Sequence, residues 1–228
     1  MSKTIKFIPF TLNDDDLKYV EIPKPAKNFI PDWWKDQEFL IKDSNNVFGD
    51  LSFKACVPFL DSLTNGYMVY TSQDILVKIE NKNPSMFWKT TPRPVLVREQ
   101  KENLPVPIGH YETHFAWDLP YGYQLPKGYS ILITHPLNRF ELPFTTVSGI
   151  IDDSVPWGGR FTFWLKKDFE GVIPKGTPIA QIIPIKRDSW KSERADNLIE
   201  YAKIKYHKKS SVFSGYYKKI IHKKKSFE

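Results

Sequence analysis

A chain of 228 residues with 41% hydrophobic and 26% charged residues can bury a sizeable core, and its length fits one large domain. The single cysteine, Cys56, excludes an intramolecular disulfide and a thiolate metal cluster built by this chain alone, and no run approaches the roughly 18 apolar residues that span a bilayer. The formal charge of +7 is uneven: nine of the 33 Lys/Arg and one of the 26 Asp/Glu fall from Tyr201 onward, which leaves 24 basic and 25 acidic residues in the first 200.

Eighteen prolines against 11 glycines argue for short strands joined by stiff turns. Residues 1–10 read as an edge strand stopped by Pro9, with neither an apolar core nor a cleavage site of a secretory leader. Asn13 to Asp16 reads as a solvated acidic turn, because the glycine and terminal glutamate of a calcium loop are missing. The proline-spaced arm 20–36 lacks the donors for a sheet interior. It is expected to wrap the surface, anchored by Phe29, Trp33 and Trp34, with Asp32 capping a short helical turn; docking on a neighbouring subunit is the alternative.

Leu51–Pro58, Tyr67–Thr71 and Ile75–Ile79 read as strands, with Cys56 a buried thiol and Asn65-Gly66 a hairpin turn. A loop at 81–85, a short strand at 86–88 and a proline-bounded strand at 95–98 follow. His110, Glu112 and His114 would share one face of a strand, but at about 3.3 Å per residue the two histidines stand about 13 Å apart, too far for one ion. No metal site is expected. Pro126-Lys127-Gly128 and Pro174-Lys175-Gly176 read as turns in which proline fixes the first corner and glycine takes the positive φ. Arg160–Leu165 alternates as an aromatic strand, 166–170 turns, Gly171–Ile173 starts a return strand, and Ile179–Ile185 is a last, mostly buried strand.

Within this stretch, Gly149-Ile150-Ile151-Asp152 and Gly176-Thr177-Pro178-Ile179-Ala180-Gln181-Ile182 resemble the third and fourth motifs of the dUTPase and dCTP-deaminase superfamily. Pro126-Lys127-Gly128-Tyr129, His135-Pro136-Leu137-Asn138 and Gly149–Asp153 also resemble a β-rich tailed-phage family of no assigned activity, over roughly residues 50–190. The first resemblance implies a β-clip or distorted-sandwich fold, a trimer, Asp152 as the candidate catalytic base, and Asn138, Arg139 and Gln181 as ligand or phosphate contacts. Mg²⁺ enters only with a nucleotide reaction; otherwise no cofactor is expected. The sequence departs from that family at several motifs. Asn65-Gly66-Tyr67-Met68 lacks the aspartate of Ala-Gly-Tyr-Asp, His135–Arg139 lacks the serine of Pro-Arg-Ser-Gly, Val155-Pro156-Trp157 replaces the usual tyrosine and arginine, and Ser210–Gly215 is not a glycine-rich arm. From the residues alone, Asp152 is a turn former, Asn138 a left-handed turn residue, and Arg139 a partner for Glu141.

Past Arg187 the apolar positions 195, 198, 199, 202 and 206 take helical spacing over Ser189–Tyr206, capped by Asp188 or Ser189. The remainder carries Lys208, Lys209, Lys218, Lys219, Lys223, Lys224 and Lys225 among aromatics, a pattern suited to nucleic acid, an acidic membrane surface or an acidic partner; a solvated tail is the plain reading. The sequence predicts a mainly β domain at 1–187 and a C-terminal helix with a basic tail at 188–228. The expected role is a non-enzymatic phage binding or assembly protein, homo-oligomeric, in the host cytoplasm or the virion, with phage or host proteins as partners. A divergent dNTP pyrophosphatase or deaminase and a nucleic-acid binder are the alternatives.

Overall fold

Short apolar runs bounded by proline make strands along most of this chain. A computed structural model describes residues 3–11, 13–41, 50–98, 104–152, 159–209 and 217–228, with the backbone alone at 207–209. The strands are β1 (Lys6–Pro9), β2 (Lys24–Pro25), β3 (Leu40–Ile41), β4 (Asp50–Leu51), β5 (Tyr67–Tyr70), β6 (Ile75–Glu80), β7 (Asn83–Phe87), β8 (Val95–Val97), β9 (His110–Asp118), β10 (Tyr121–Gln124), β11 (Tyr129–Thr134), β12 (Phe144–Thr146), β13 (Gly149–Ile151), β14 (Arg160–Lys166), β15 (Gly171–Ile173) and β16 (Pro178–Lys186). The α-helices are α1 (Asp32–Asp36), α2 (Val57–Thr64) and α3 (Ile199–Lys209). The chain is mainly β with a C-terminal helix, as its sequence predicts.

All pairings among the described residues are antiparallel. They make a five-stranded sheet of order β13-β11-β16-β5-β2, a four-stranded sheet β12-β14-β9-β8, a three-stranded sheet β15-β6-β7, and the ribbons β1-β10 and β3-β4. The three larger sheets share one core. Ile131, Ile133 and Ile182 meet Phe115, Trp117, Phe144 and Phe163 from the second sheet and Ile75, Val77 and Ile173 from the third. Trp117 stacks on Phe163 with ring centres 3.7 Å apart. Its indole N–H donates to Thr146 Oγ1 at 3.0 Å, and that hydroxyl donates to the Ile179 carbonyl at 2.6 Å. These two bonds satisfy the buried Trp117 indole and Thr146 hydroxyl across two sheets.

Several expectations are corrected. Residues 51–58 do not form one strand: Ser52 caps a 3₁₀ turn at Phe53–Ala55, and α2 follows with Cys56 half-buried at its N-cap. Pro58 is tolerated in the first helical turn, where its missing N–H has no intrahelical partner. Gly66 is the helix-to-strand joint and not a hairpin turn. It takes φ +75°, and an added Cβ would lie 2.0 Å from the Ile182 carbonyl oxygen, so the joint presses directly on β16. Asn81 and Lys82, both at positive φ, close a two-residue hairpin between β6 and β7 where a loop is expected.

In the two proline turns the closing bonds run from Tyr129 N–H to the Pro126 carbonyl and from Thr177 N–H to the Pro174 carbonyl, both 3.1 Å. Proline thus opens each turn, lysine takes the first corner and glycine the positive φ. β15 pairs with β6, so the turn at 166–170 passes the chain to another sheet instead of folding it back on β14. Pro184 lies beyond Ile182, the last residue of β16 paired with β5. Asp32 is the first residue of α1 and Pro31 its cap. The C-terminal helix begins at Ile199, after a 3₁₀ turn at Asp196–Leu198 and an irregular stretch in which Trp190 stands 89% exposed. No described helix is long and apolar enough to cross a membrane.

Candidate functional site

Three of the four residues singled out by resemblance converge beside α2. Gln181, 0% exposed on β16, donates its amide to the carbonyls of Ser62 (2.9 Å) and Asn65 (2.7 Å) and accepts from Leu137 N–H (2.9 Å). Asn138 takes the left-handed conformation at φ 59° and donates to Ser62 Oγ at 2.6 Å. Arg139 pairs with Glu141 and donates to the Phe29 carbonyl at 2.9 Å. The segment His135–Leu142 thereby ties α2, the proline arm and the five-stranded sheet into one assembly. His135 Nδ1 accepts from Thr146 N–H at 3.3 Å, which leaves Nε2–H to donate to the Arg139 carbonyl at 3.2 Å. Burial lowers the His135 pKa against the opposing pull of that carbonyl, which favours the neutral ring.

Beside Arg139 the arm leaves a cleft of about 430 Å³ lined by Phe29, Pro31, Trp33, Lys35, Glu141 and Pro178. Trp34 stacks on Phe59 of α2 at 5.1 Å, and Lys54 Nζ reaches the Lys35 carbonyl at 2.9 Å, so the arm docks on its own chain. Trp33, Phe39, Leu40, Ile41, Leu51 and Phe53 nevertheless stand exposed around it, Phe53 to 70%.

Asp152 follows the strand β13 on the surface. Its side chain is 69% exposed, accepts from Ser130 Oγ at 2.7 Å and lies 3.6 Å from an Arg187 nitrogen. It is not brought to Asn138, Arg139 or Gln181 by any contact among the described residues. Residues 153–158, which include Val155, Pro156 and Trp157, lie outside the described residues. On β9, His110 is held by the Ile108 carbonyl (3.0 Å) and Thr145 Oγ1 (2.9 Å), and His114 lies against Trp164. No group of three or more His, Cys, Asp or Glu among the described residues is placed to hold a metal ion.

The basic tail returns to the core. His222 Nε2 lies 3.1 Å from both Asp61 oxygens, Lys225 Nζ 3.0 Å from one of them, and Phe227 packs edge-on against Tyr67. Burial raises the Asp61 pKa, but the hydrogen bonds from Lys225 and His222 outweigh it and the net shift is downward. Lys218, Lys219, Lys223 and Lys224 form no ion pair among the described residues; the side chains of Lys208 and Lys209 lie outside them.

A second cleft, of about 720 Å³, opens between the N-terminal turn and the end of β9. Arg93 Nε and Nη2 each lie 3.2 Å from Asp118 Oδ2, and Arg160 Nε lies 3.6 Å from Oδ1. Phe10, Pro92 and Leu119 form its apolar walls. No spacing in the sequence announces this cluster; only the strand register, which sets Arg160 opposite Asp118, assembles it.

The sequence matches no protein-family model and no curated protein. Among solved structures the chain is similar to phage dUTPases at low identity. A mutant dUTPase of Staphylococcus bacteriophage 80alpha matches at 11% identity and TM-score 0.39, over 85% of this chain and 96% of that one. A mutant dUTPase from phage phi11 of S. aureus matches at 9% and 0.36, over 85% and 97%. A further 80alpha dUTPase mutant, with dUpNHpp, matches at 12% and 0.36, over 85% and 88%.

Proposed function

We propose that this chain is a non-catalytic binding and assembly protein of phage type that associates with copies of itself through its C-terminal segment. The observation that carries the reading is α3. Leu198, Ile199, Tyr201 and Ile204 are exposed, Ile204 to 55%, and the helix packs chiefly on the 3₁₀ turn that leads into it. An isolated helix of 11 residues is marginal in water. Exposed apolar side chains of this kind on α3 and the turn before it call for a partner surface, and the exposed aromatics around the proline arm supply apolar area of the same sort. The placement of Asp152 on the surface after β13, and of Gln181 and Asn138 in contacts to their own chain, supports a role without turnover.

Light scattering on the eluting protein tests association: an oligomer is expected, and Leu198→Glu with Ile204→Glu should shift it toward monomer with the circular dichroism of the sheets retained. A monomeric wild-type protein overturns this part. Incubation with dUTP and dCTP in Mg²⁺ tests catalysis. No product above the buffer level is expected, and turnover that Asp152→Asn abolishes would establish the divergent nucleotide enzyme instead. The four tail lysines that form no ion pair among the described residues favour a second reading, nucleic-acid binding, whose affinity would fall steeply with salt at a slope of about 0.9 per phosphate contact on duplex DNA.

A further inference from the structure

The geometry points to a binding site for a small organic anion with a flat apolar body in the cleft beside Asp118. Three observations assemble it. The volume of about 720 Å³ lies in the range of small-molecule sites. The polar end is prebuilt by main chain: Arg160 opposes Asp118 in the β14-β9 register, and Asp118 N–H donates to the Pro94 carbonyl at 3.0 Å, which fixes Arg93 on the other side. Asp118 therefore orients Arg93 through two hydrogen bonds and holds Arg160 beside it in an ion pair at 3.6 Å. Arg93 Nη1 and both terminal nitrogens of Arg160 have no hydrogen-bond partner among the described residues.

Two guanidinium groups on one carboxylate leave an excess positive charge with fork-shaped donors, the arrangement that carboxylate and phosphate groups recognise. The limit on ligand charge comes from Asp16, which also lines the cleft and whose Oδ1 accepts from Thr91 Oγ1 at 2.8 Å. With Asp16 counted, the four charged side chains cancel, so the excess of one positive charge is confined to the Arg93–Asp118–Arg160 end, which suits one anionic group better than a polyphosphate chain. Phe10, Pro92 and Leu119 supply apolar surface for a planar body, which an aromatic ring covers well. The class assigned is an aryl or heteroaryl carboxylate or phosphate monoester.

Titration calorimetry on the full chain with phenyl phosphate, benzoate, inorganic phosphate and dUTP tests this assignment. Saturable binding of phenyl phosphate or benzoate is expected, with inorganic phosphate and dUTP at least tenfold weaker. Arg160→Gln, at an exposed position, should weaken phenyl phosphate tenfold or more at an unchanged unfolding midpoint. Phe10→Ala should weaken it without changing the response to inorganic phosphate. Absence of binding by both aromatic anions at millimolar concentration, equal binding of inorganic phosphate or dUTP, or indifference to Arg160→Gln would overturn the assignment. None of these outcomes depends on whether the chain self-associates.

Discussion

Around Ser62 and around Asp118 the chain gathers similar polar groups and uses them in opposite ways. At Ser62, Gln181 and Asn138 turn their donors and acceptors onto main chain and hydroxyl partners of the same molecule. At Asp118, one carboxylate holds two guanidinium groups whose outer nitrogens face a cleft. The first cluster is buried or half-buried and joins elements through neutral hydrogen bonds; the second is half open and joins its elements through ion pairs. Resemblance pointed to the first, and its geometry is that of a structural clip. Spare hydrogen-bonding capacity, which a ligand needs, is found at the second.

The sharpest way to break this contrast is Gln181→Leu. It leaves the Ser62 and Asn65 carbonyls and the Leu137 N–H without their partner, and a loss of about 3 kcal/mol or more in urea unfolding is expected. A loss below about 1 kcal/mol would show that Gln181 is not a clip. Asn138→Ala removes the bond to Ser62 and forces a Cβ-branched-free but still chiral residue to hold positive φ, at about 1–2 kcal/mol. Asn138→Gly should recover the backbone share.

A pH series sharpens the same region. Burial depresses the His135 pKa, so the unfolded chain takes up a proton near the usual 6.5 while the folded chain resists it. Its contribution to stability is complete above that value and declines as pH falls below it. The unfolding midpoint of the wild type should drop in that window, and His135→Gln should flatten the drop.

At Asp118 the expected effects on stability are smallest. Asp118→Asn breaks ion pairs with two half-exposed to exposed arginines and should cost no more than about 1 kcal/mol by urea unfolding. A cost comparable to Gln181→Leu would make the cleft structural and erase the distinction between the two clusters.

The β class, the aromatic strand β14, the buried β16 and the two proline turns are legible in the sequence because alternation and turn chemistry are local. What is not legible depends on distant partners. Residues 51–58 carry the apolar residues of a strand, yet Ser52 caps a 3₁₀ turn, α2 starts behind Cys56 with a proline in its first turn, and Gln181 holds the far end of that helix from 119 residues away. Gly171–Ile173 is a strand as read, but its partner is β6 and not its neighbour β14. The helix after Arg187 starts ten residues later than its spacing suggests, and the apolar positions that define it are not part of the buried core among the described residues. In the site, Asn138 and Arg139 were visible as polar residues between strong strands. Arg93, Asp118 and Arg160 were not, since only a register brings them together.

Trp190 carries a practical consequence for studying the C-terminal segment. Trp34, Trp117 and Trp164 are buried and Trp33 and Trp88 are 39% and 36% exposed, whereas Trp190, just ahead of α3, is 89% exposed, the most open tryptophan among the described residues. Indole emission moves to shorter wavelength when the ring leaves water, and iodide quenches only rings it reaches. The segment therefore carries its own optical reporter: as protein concentration rises, docking of this stretch on a second copy should shift emission to the blue and shield the ring from iodide, without any dye attached.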